Sequence, residues 1–226
     1  MFKKHGLKIV IGIGLLLLVL AVVYSRIAAG DANEGVVVQA HTKGGDAPKA
    51  VLVKYSDFQC PACQRFYPVL ADLSDQYGDD LQIEYKHFPL SSIHPYAVSA
   101  AKAAEAAGQQ GAFWEMHDLI FEQQSVWSNS GNPNAYFAAF AEQLGLDLKL
   151  YRQHTRASLL QNKIEADFAE ARELGFTGTP SFTLNGSPLQ FETFEEFAAL
   201  IDAAVTGTTA STTIPAVAEP EVTFGI

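Results

Sequence analysis

The clearest feature of the hydrophobic pattern is a change of period at the chain's two cysteines. From Ala50 to Phe58, "AVLVKYSDF" is β-rich and stops just before Cys60. Downstream, Phe66, Val69, Leu70 and Leu73 recur at helical spacing up to Tyr77. Between them stands Pro61, at the position where proline opens a helix because its missing N–H would have been unpaired there anyway. The pattern therefore predicts a strand, a helix, and Cys60 and Cys63 at the junction.

Alternation continues in "LQIEYKHF", Leu81 to Phe88, which predicts a second strand ended by Pro89. After His94-Pro95, read as a helix entrance, comes an alanine-rich helical stretch broken near Gly108. Helical patterns follow over Pro133–Leu144, Leu146–His154 and Leu159–Leu174. Phe113, Trp114, Met116, Phe121 and Trp127 read as packing inside this block. β character returns in "TPSFTL", an Asn185-Gly186 turn suited to a hairpin, and "SPLQF", before an amphipathic helix from Thr193 to Ala204. Residues 31–49 form a connector with one expected strand, "VVVQA", and a Gly/Asp/Pro turn region. This order of elements predicts an α/β architecture around a mixed sheet.

The two ends of the chain read differently. Residues 9–24 carry no charge, and the run reaches membrane-spanning length if it extends from Leu7 to Ala29 with Lys8 and Arg26 snorkelling. Residues 1–30 are therefore read as a membrane anchor with the amino terminus in the cytoplasm and the body outside. A cleaved signal peptide is the alternative, and both place the body in an exported compartment where disulfides persist. Residues 206–226 are biased to Thr, Ala and Pro without periodicity, and read as a disordered tail.

Charge narrows the list of partners. Four of the fifteen basic residues lie in the first thirty, leaving eleven against twenty-five acids, a net charge of −14 for the body. Such a body repels phosphate backbones and anionic lipid heads as a whole, so nucleic acid is excluded as a partner.

Two cysteines are too few for a disulfide framework. A structural disulfide across so short a loop gains little, because the entropic benefit grows with loop length. A zinc site would have to recruit two of His41, His87, His94, His117 and His154, none at a familiar metal spacing, so no metal is expected. A reversible redox pair agrees with the strand-to-helix position, with export and with the helix entry. At a helix mouth Cys60 faces unpaired N–H groups and the positive end of the helix dipole, which favour its thiolate. Cys60 is the expected nucleophile and Cys63, one turn deeper, the resolving thiol.

Four separated segments in order carry a family resemblance. "SDFQCPACQRF", "YKHFPL", "HPYAVSAAKAAEAAGQQGAFWEMHDLIF" and "GFTGTPSFTLNG" resemble, in turn, the active-site turn, the following strand, the start of the inserted helical domain and the cis-proline loop of the DsbA-like branch of the thioredoxin-fold superfamily. The resemblance implies a thioredoxin fold over 50–205 with a helical insertion at about 91–160. It implies a cis Thr179-Pro180 peptide beside the cysteines, with Thr179 and Pro180 presenting backbone to an extended substrate strand. An ordinary trans proline starting a strand is the alternative for that segment taken alone. The only cofactor implied is the redox-active disulfide itself. The implied partners are reduced or misoxidised secreted polypeptides and a membrane redox protein that resets the pair. Oxidase activity is the expected direction, since no dimerisation segment like that of known isomerases precedes the domain. A reductase or isomerase, or a non-catalytic peptide-binding module, is the alternative.

Two departures bear on tuning. Strongly oxidising members often have histidine before the second cysteine, where this chain has Ala62, which implies a less forceful oxidant. Many members have a buried acid six residues before the nucleophile, where this chain has Lys54. Lys54 either faces the sulfurs, favouring the thiolate, or lies on the surface. Asp57, Gln59 and Glu84 are the possible substitutes for the acid, and His87 is the histidine nearest the active-site strand in the implied fold.

Overall fold

The computed structural model of the protein describes residues 12–20 and 31–208. Residues 12–20 are helical (α1). The rest of the expected anchor, and the tail from residue 209 onward, lie outside the described residues. Among the described residues, no helix is long and apolar enough to cross a membrane.

The sheet has five strands in the order β1-β3-β2-β4-β5: β1 (His41–Lys43), β2 (Ala50–Ser56), β3 (Leu81–His87), β4 (Ser181–Leu184) and β5 (Ser187–Pro188). β2 runs parallel to β3, and every other pairing is antiparallel. The parallel pair is joined by α2 (Pro61–Tyr77), the crossover that parallel neighbours require. Before β4 come α3 (Ala97–Gly108), α4 (Phe113–Glu122), α5 (Gln124–Trp127), α6 (Pro133–Gln143), α7 (Leu148–His154) and α8 (Ser158–Glu173). The last helix is α9 (Phe194–Thr206). This is a thioredoxin fold, a mixed sheet flanked by helices, interrupted by a helical block.

Two expectations need correction. "VVVQA", residues 36–40, is not a strand. Its Val37 and Val38 are exposed, and Gln109 holds Val37 by both backbone groups instead, donating to its carbonyl and accepting from its N–H. The strand begins at His41, where the side chain turns inward, and it closes at Gly44, whose φ of +103° and contact with the Leu81 carbonyl leave no room for a Cβ. The second strand of the hairpin, read over "SPLQF", contracts to two residues. The hairpin turn itself stands, with positive φ at both Asn185 and Gly186.

Two cores share α2. Phe66, Leu70 and Leu73 of α2 pack with Leu52, Ile83, Phe182 and Phe197, each worth about 1.5–3 kcal/mol of transfer free energy when buried. The second core is built on α3, whose buried alanines let the helices around it approach closely. Phe113, Met116, Phe121 and Trp127 are buried in it, while Trp114 packs at its margin. Phe58, Cys60 and Cys63 belong to this second core. The turn that carries Cys60 and Cys63 is thus clamped between sheet and helical block.

Candidate active site

β2 delivers the chain to the site in register. Its last residues pair with β3 on one side, Ser56 opposite His87, and with β4 on the other, Tyr55 opposite Ser181. Ser181 follows the Thr179-Pro180 peptide, which is cis, so the end of β2 and the proline loop are neighbours. Cys60 is the N-cap of α2 and Pro61 its first residue, while no side chain caps the helix. The uncapped N–H groups therefore face the Cys60 sulfur.

Cys60 is 7% exposed and Cys63 fully closed. The Cys60 thiol donates to the Thr179 carbonyl at 3.3 Å. A hydrogen bond from the Cys63 thiol draws the Cys60 pKa down most, against the effect of burial. The Thr179 side chain and the backbone N–H groups of Cys63 and Ala62 add to the same pull, and the result is about 5. Cys63 moves the other way: burial and the Cys60 thiolate push it well above the usual thiol range, while the Lys54 charge and Ser56 oppose them. The geometry thus separates two like thiols into a ready anion and a protected acid.

Lys54 is buried, 1% exposed, and its Nζ has no hydrogen-bond partner among the described residues. It stands 4.6 Å from the Phe121 ring centroid and 5.9 Å from that of Tyr85. Burial lowers its pKa to about 8, despite the opposing fields of Cys63, Cys60 and Asp118. His117, lining the same small cavity as Lys54 and Lys43, is held at about 4 by burial and is neutral at pH 7, and Lys54 is the positive charge that acts on Cys63. Of the two placements open to Lys54, the structure has the inward one.

Unsatisfied polar groups concentrate here. Of five buried side-chain atoms without a partner among the described residues, three are Lys54 Nζ, Ser56 Oγ and Thr179 Oγ1, all on residues that act on the two cysteines. Each is costly in a core unless a charge forms beside it. A thiolate is such a charge.

Supporting residues come from outside the motif. Gln124 of α5 donates from Nε2 to the carbonyls of Phe58 at 2.7 Å and Cys60 at 3.0 Å. Asp57 accepts from Gln59 N–H, Leu90 N–H and His94, tying the turn to the loop after β3. Asp57 and Gln59 are thus structural ties, Gln59 Oε1 accepting from Tyr96 N–H. Glu84 lies on β3 near Lys86, and His87 is bonded to Glu105 in a separate buried cluster. The importance of Gln124 is invisible in the sequence, since its partner groups are backbone carbonyls 64 and 66 residues away. Among the described residues, no group of three or more His, Cys, Asp or Glu is placed to hold a metal ion.

The thioredoxin family pattern matches residues 37–203. The chain belongs to the thioredoxin family. Its architecture is that of the DsbA-like thioredoxin-fold oxidoreductases. A thioredoxin-like oxidoreductase from Silicibacter pomeroyi superposes with TM-score 0.63 at 25% identity, covering 74% of this chain and 92% of that one. BdbD from Bacillus subtilis gives 0.65 at 17%, covering 77% and 95%, and alpha-DsbA1 of Wolbachia pipientis 0.65 at 19%, covering 78% and 96%. Among curated sequences, a chain from Salinispora tropica named Na(+)/H(+) antiporter NhaA 3 is 38% identical over 146 residues. That match takes in 65% of this chain but only 22% of the antiporter-named one.

Proposed function

We propose that the protein is a membrane-anchored, extracytoplasmic thiol–disulfide oxidoreductase that introduces disulfides into exported polypeptides through Cys60 and Cys63. The observation that carries this reading is the split between the two thiols, Cys60 at about 5 and Cys63 well above the thiol range. A substrate thiolate attacks Cys60 Sγ of the oxidised pair, the Cys60–Cys63 bond breaks, and Cys63 leaves carrying the electron pair. Lys54 is the positive charge that offsets this leaving group and can supply its proton. A second substrate thiolate then attacks the substrate sulfur of the mixed disulfide and expels the Cys60 thiolate, a good leaving group at its low pKa. The substrate loses two electrons and the cysteine pair gains them.

The raised pKa of Cys63 supports the oxidase direction. Cys63 would have to ionise to attack Cys60 and release the substrate still reduced, so a protonated Cys63 gives the second substrate thiol time to act. Stabilising the Cys60 thiolate also stabilises the reduced protein and makes the disulfide a stronger oxidant. A membrane partner would take the two electrons and restore the disulfide. Thr179 and Pro180 present the backbone beside Cys60 on which an extended polypeptide can pair, and Pro61 and Ala62 complete the turn.

The decisive experiment follows reoxidation of a reduced model polypeptide by the oxidised protein, alongside the equilibrium potential of the pair against glutathione. Cys60→Ser and Cys63→Ser both abolish turnover, because neither can hold the disulfide that accepts the substrate's electrons; given a polypeptide that already carries a disulfide, Cys63→Ser traps it as a mixed disulfide on Cys60. A potential as low as those of cytosolic reductants would reassign the protein as a reductase, and full activity in Cys60→Ser would leave only a binding module.

A further inference from the structure

The helical block holds a second site that the redox chemistry does not use. Between α3, α6 and α7 lies a cleft of about 440 Å³ on a floor that includes Phe137. Lys102, Arg152 and Arg156 line it, with Ser99 and Asn134 beside them and, among the described residues, no acidic one. The chain has twenty-five acids against fifteen bases, so a wall with three bases and no acid departs from its surroundings. None of the three pairs with a carboxylate among the described residues. Arg156 is steadied by donating from Nε to the Arg152 carbonyl at 3.1 Å.

Tyr151 points independently to a ligand. The residue as a whole is 3% exposed and lines the same cleft, while its hydroxyl has no hydrogen-bond partner among the described residues and is open to solvent. A hydroxyl held at the mouth of a cleft on a buried ring is placed to bond whatever enters. Two guanidinium groups, an ammonium, a phenol and neutral donors present many N–H and O–H groups and little to accept from them, which suits a tetrahedral oxyanion.

We propose that this cleft binds a phosphate group. Its position favours a lipid headgroup as the source. Segment 31–34 is tied to the same helix, Gln153 donating to the Asp31 carbonyl at 2.9 Å and His154 bonded to the Glu34 carbonyl at 3.3 Å. Asn33 continues the tie to Ser158 and Leu159. Residue 31 lies seven positions after Tyr24, where the uncharged run ends, so an anchored chain holds α7 within a short connection of the bilayer. The choice of lipid as source rests on the membrane-anchored reading; the phosphate chemistry does not. Net acidity repels an anionic surface on average, while the cleft offers a local exception that would fix how the domain stands on the membrane.

Acetylation of Lys102 by an amine-reactive reagent, followed by mass spectrometry, tests this on the full chain. In neutral detergent, inorganic phosphate should slow Lys102 modification saturably while leaving exposed Lys149 unaffected. The double variant Arg152→Gln/Arg156→Gln should weaken that protection about tenfold or more, and Tyr151→Phe should weaken it less. Thiol–disulfide activity should be unchanged in both. In vesicles without added phosphate, phosphatidylglycerol should protect Lys102 in the wild-type chain and not in the double variant. Protection by inorganic phosphate but not by phosphatidylglycerol supports the phosphate site with a free anion as its ligand. Protection by neither, or equal protection in the double variant, overturns the proposal. Release of the chain from membranes by carbonate would defeat the anchored reading alone, because the detergent measurement needs no membrane.

Discussion

Lys54 and Phe121 stand cation over ring, 4.6 Å from Nζ to centroid, beneath a cysteine pair to which neither belongs in sequence. The ring face is the main favourable contact of an ammonium that otherwise has no hydrogen bond. Such a charge is unfavourable in the folded protein unless a thiolate is present. Its pKa of about 8 lies below the unfolded value, so the cost is fully present below about 8 and disappears as pH rises toward the free-lysine value.

Replacing this charge should therefore separate stability from redox function. Lys54→Met is expected to stabilise the oxidised protein by about 1–3 kcal/mol near pH 7, raise the Cys60 titration midpoint and lower the reduction potential. Denaturant unfolding, the pH dependence of Cys60 alkylation and glutathione equilibration read the three effects. An unchanged Cys60 midpoint would remove Lys54 from the tuning of the site.

The pH dependence of the wild-type protein follows from Cys60. Its folded pKa is depressed to about 5, so its contribution to the stability of the reduced form is present above the unfolded thiol value and is lost as pH falls through about 5. The stability of the reduced protein relative to the oxidised one should accordingly decline from about pH 8.5 to about pH 5. Paired thermal melts of the two forms across that range check the sign, and a difference that grows on acidification would contradict it.

A separate buried cluster holds sheet to helical block. Glu105 Oε1 lies 3.0 Å from His41 Nε2, 2.9 Å from His87 Nε2 and 3.2 Å from Lys163 Nζ, joining β1, β3, α3 and α8. Burial alone would raise the Glu105 pKa, but the hydrogen bonds from His41 and His87 and the nearby positive charge hold it well below the usual range. Glu105→Gln should cost about 3 kcal/mol at pH 7 by leaving Lys163 with only Asp167. Because the folded pKa is depressed, this stability is present above about pH 4.3 and lost below it, so the variant should show a flatter acid limb in urea unfolding.

Gln124 is expected to act through geometry. Gln124→Leu leaves the Phe58 carbonyl without a donor, at about 1–3 kcal/mol, while the Cys60 carbonyl keeps the Gln64 N–H. Faster amide exchange in residues 58–64, with the chemistry of Cys60 slowed, is the expected signature. Asp57→Ala should loosen the same turn from its other side by releasing the Leu90 and His94 ties.

Local pattern was sufficient where local energetics rule. The change from β-rich to helical spacing around Pro61 placed Cys60 at a helix mouth, and the Asn185-Gly186 pair marked the hairpin, because both depend on backbone preferences of adjacent residues. It misled at "VVVQA", where three valines carry β propensity but the neighbouring sheet edge is reached only from His41 onward, and Gln109 supplies the backbone partners instead.

By itself, then, the order of residues determined that a cysteine pair opens a helix after a strand in a mixed α/β fold. Only the tertiary structure decided the direction of Lys54, the pairing of Gln124 with the Phe58 and Cys60 carbonyls and the convergence of Lys102, Arg152 and Arg156 on one cleft. The physical reason is range. Backbone propensity and capping act over a few residues, whereas burial and the fields between charges depend on which distant segments the packed chain brings together.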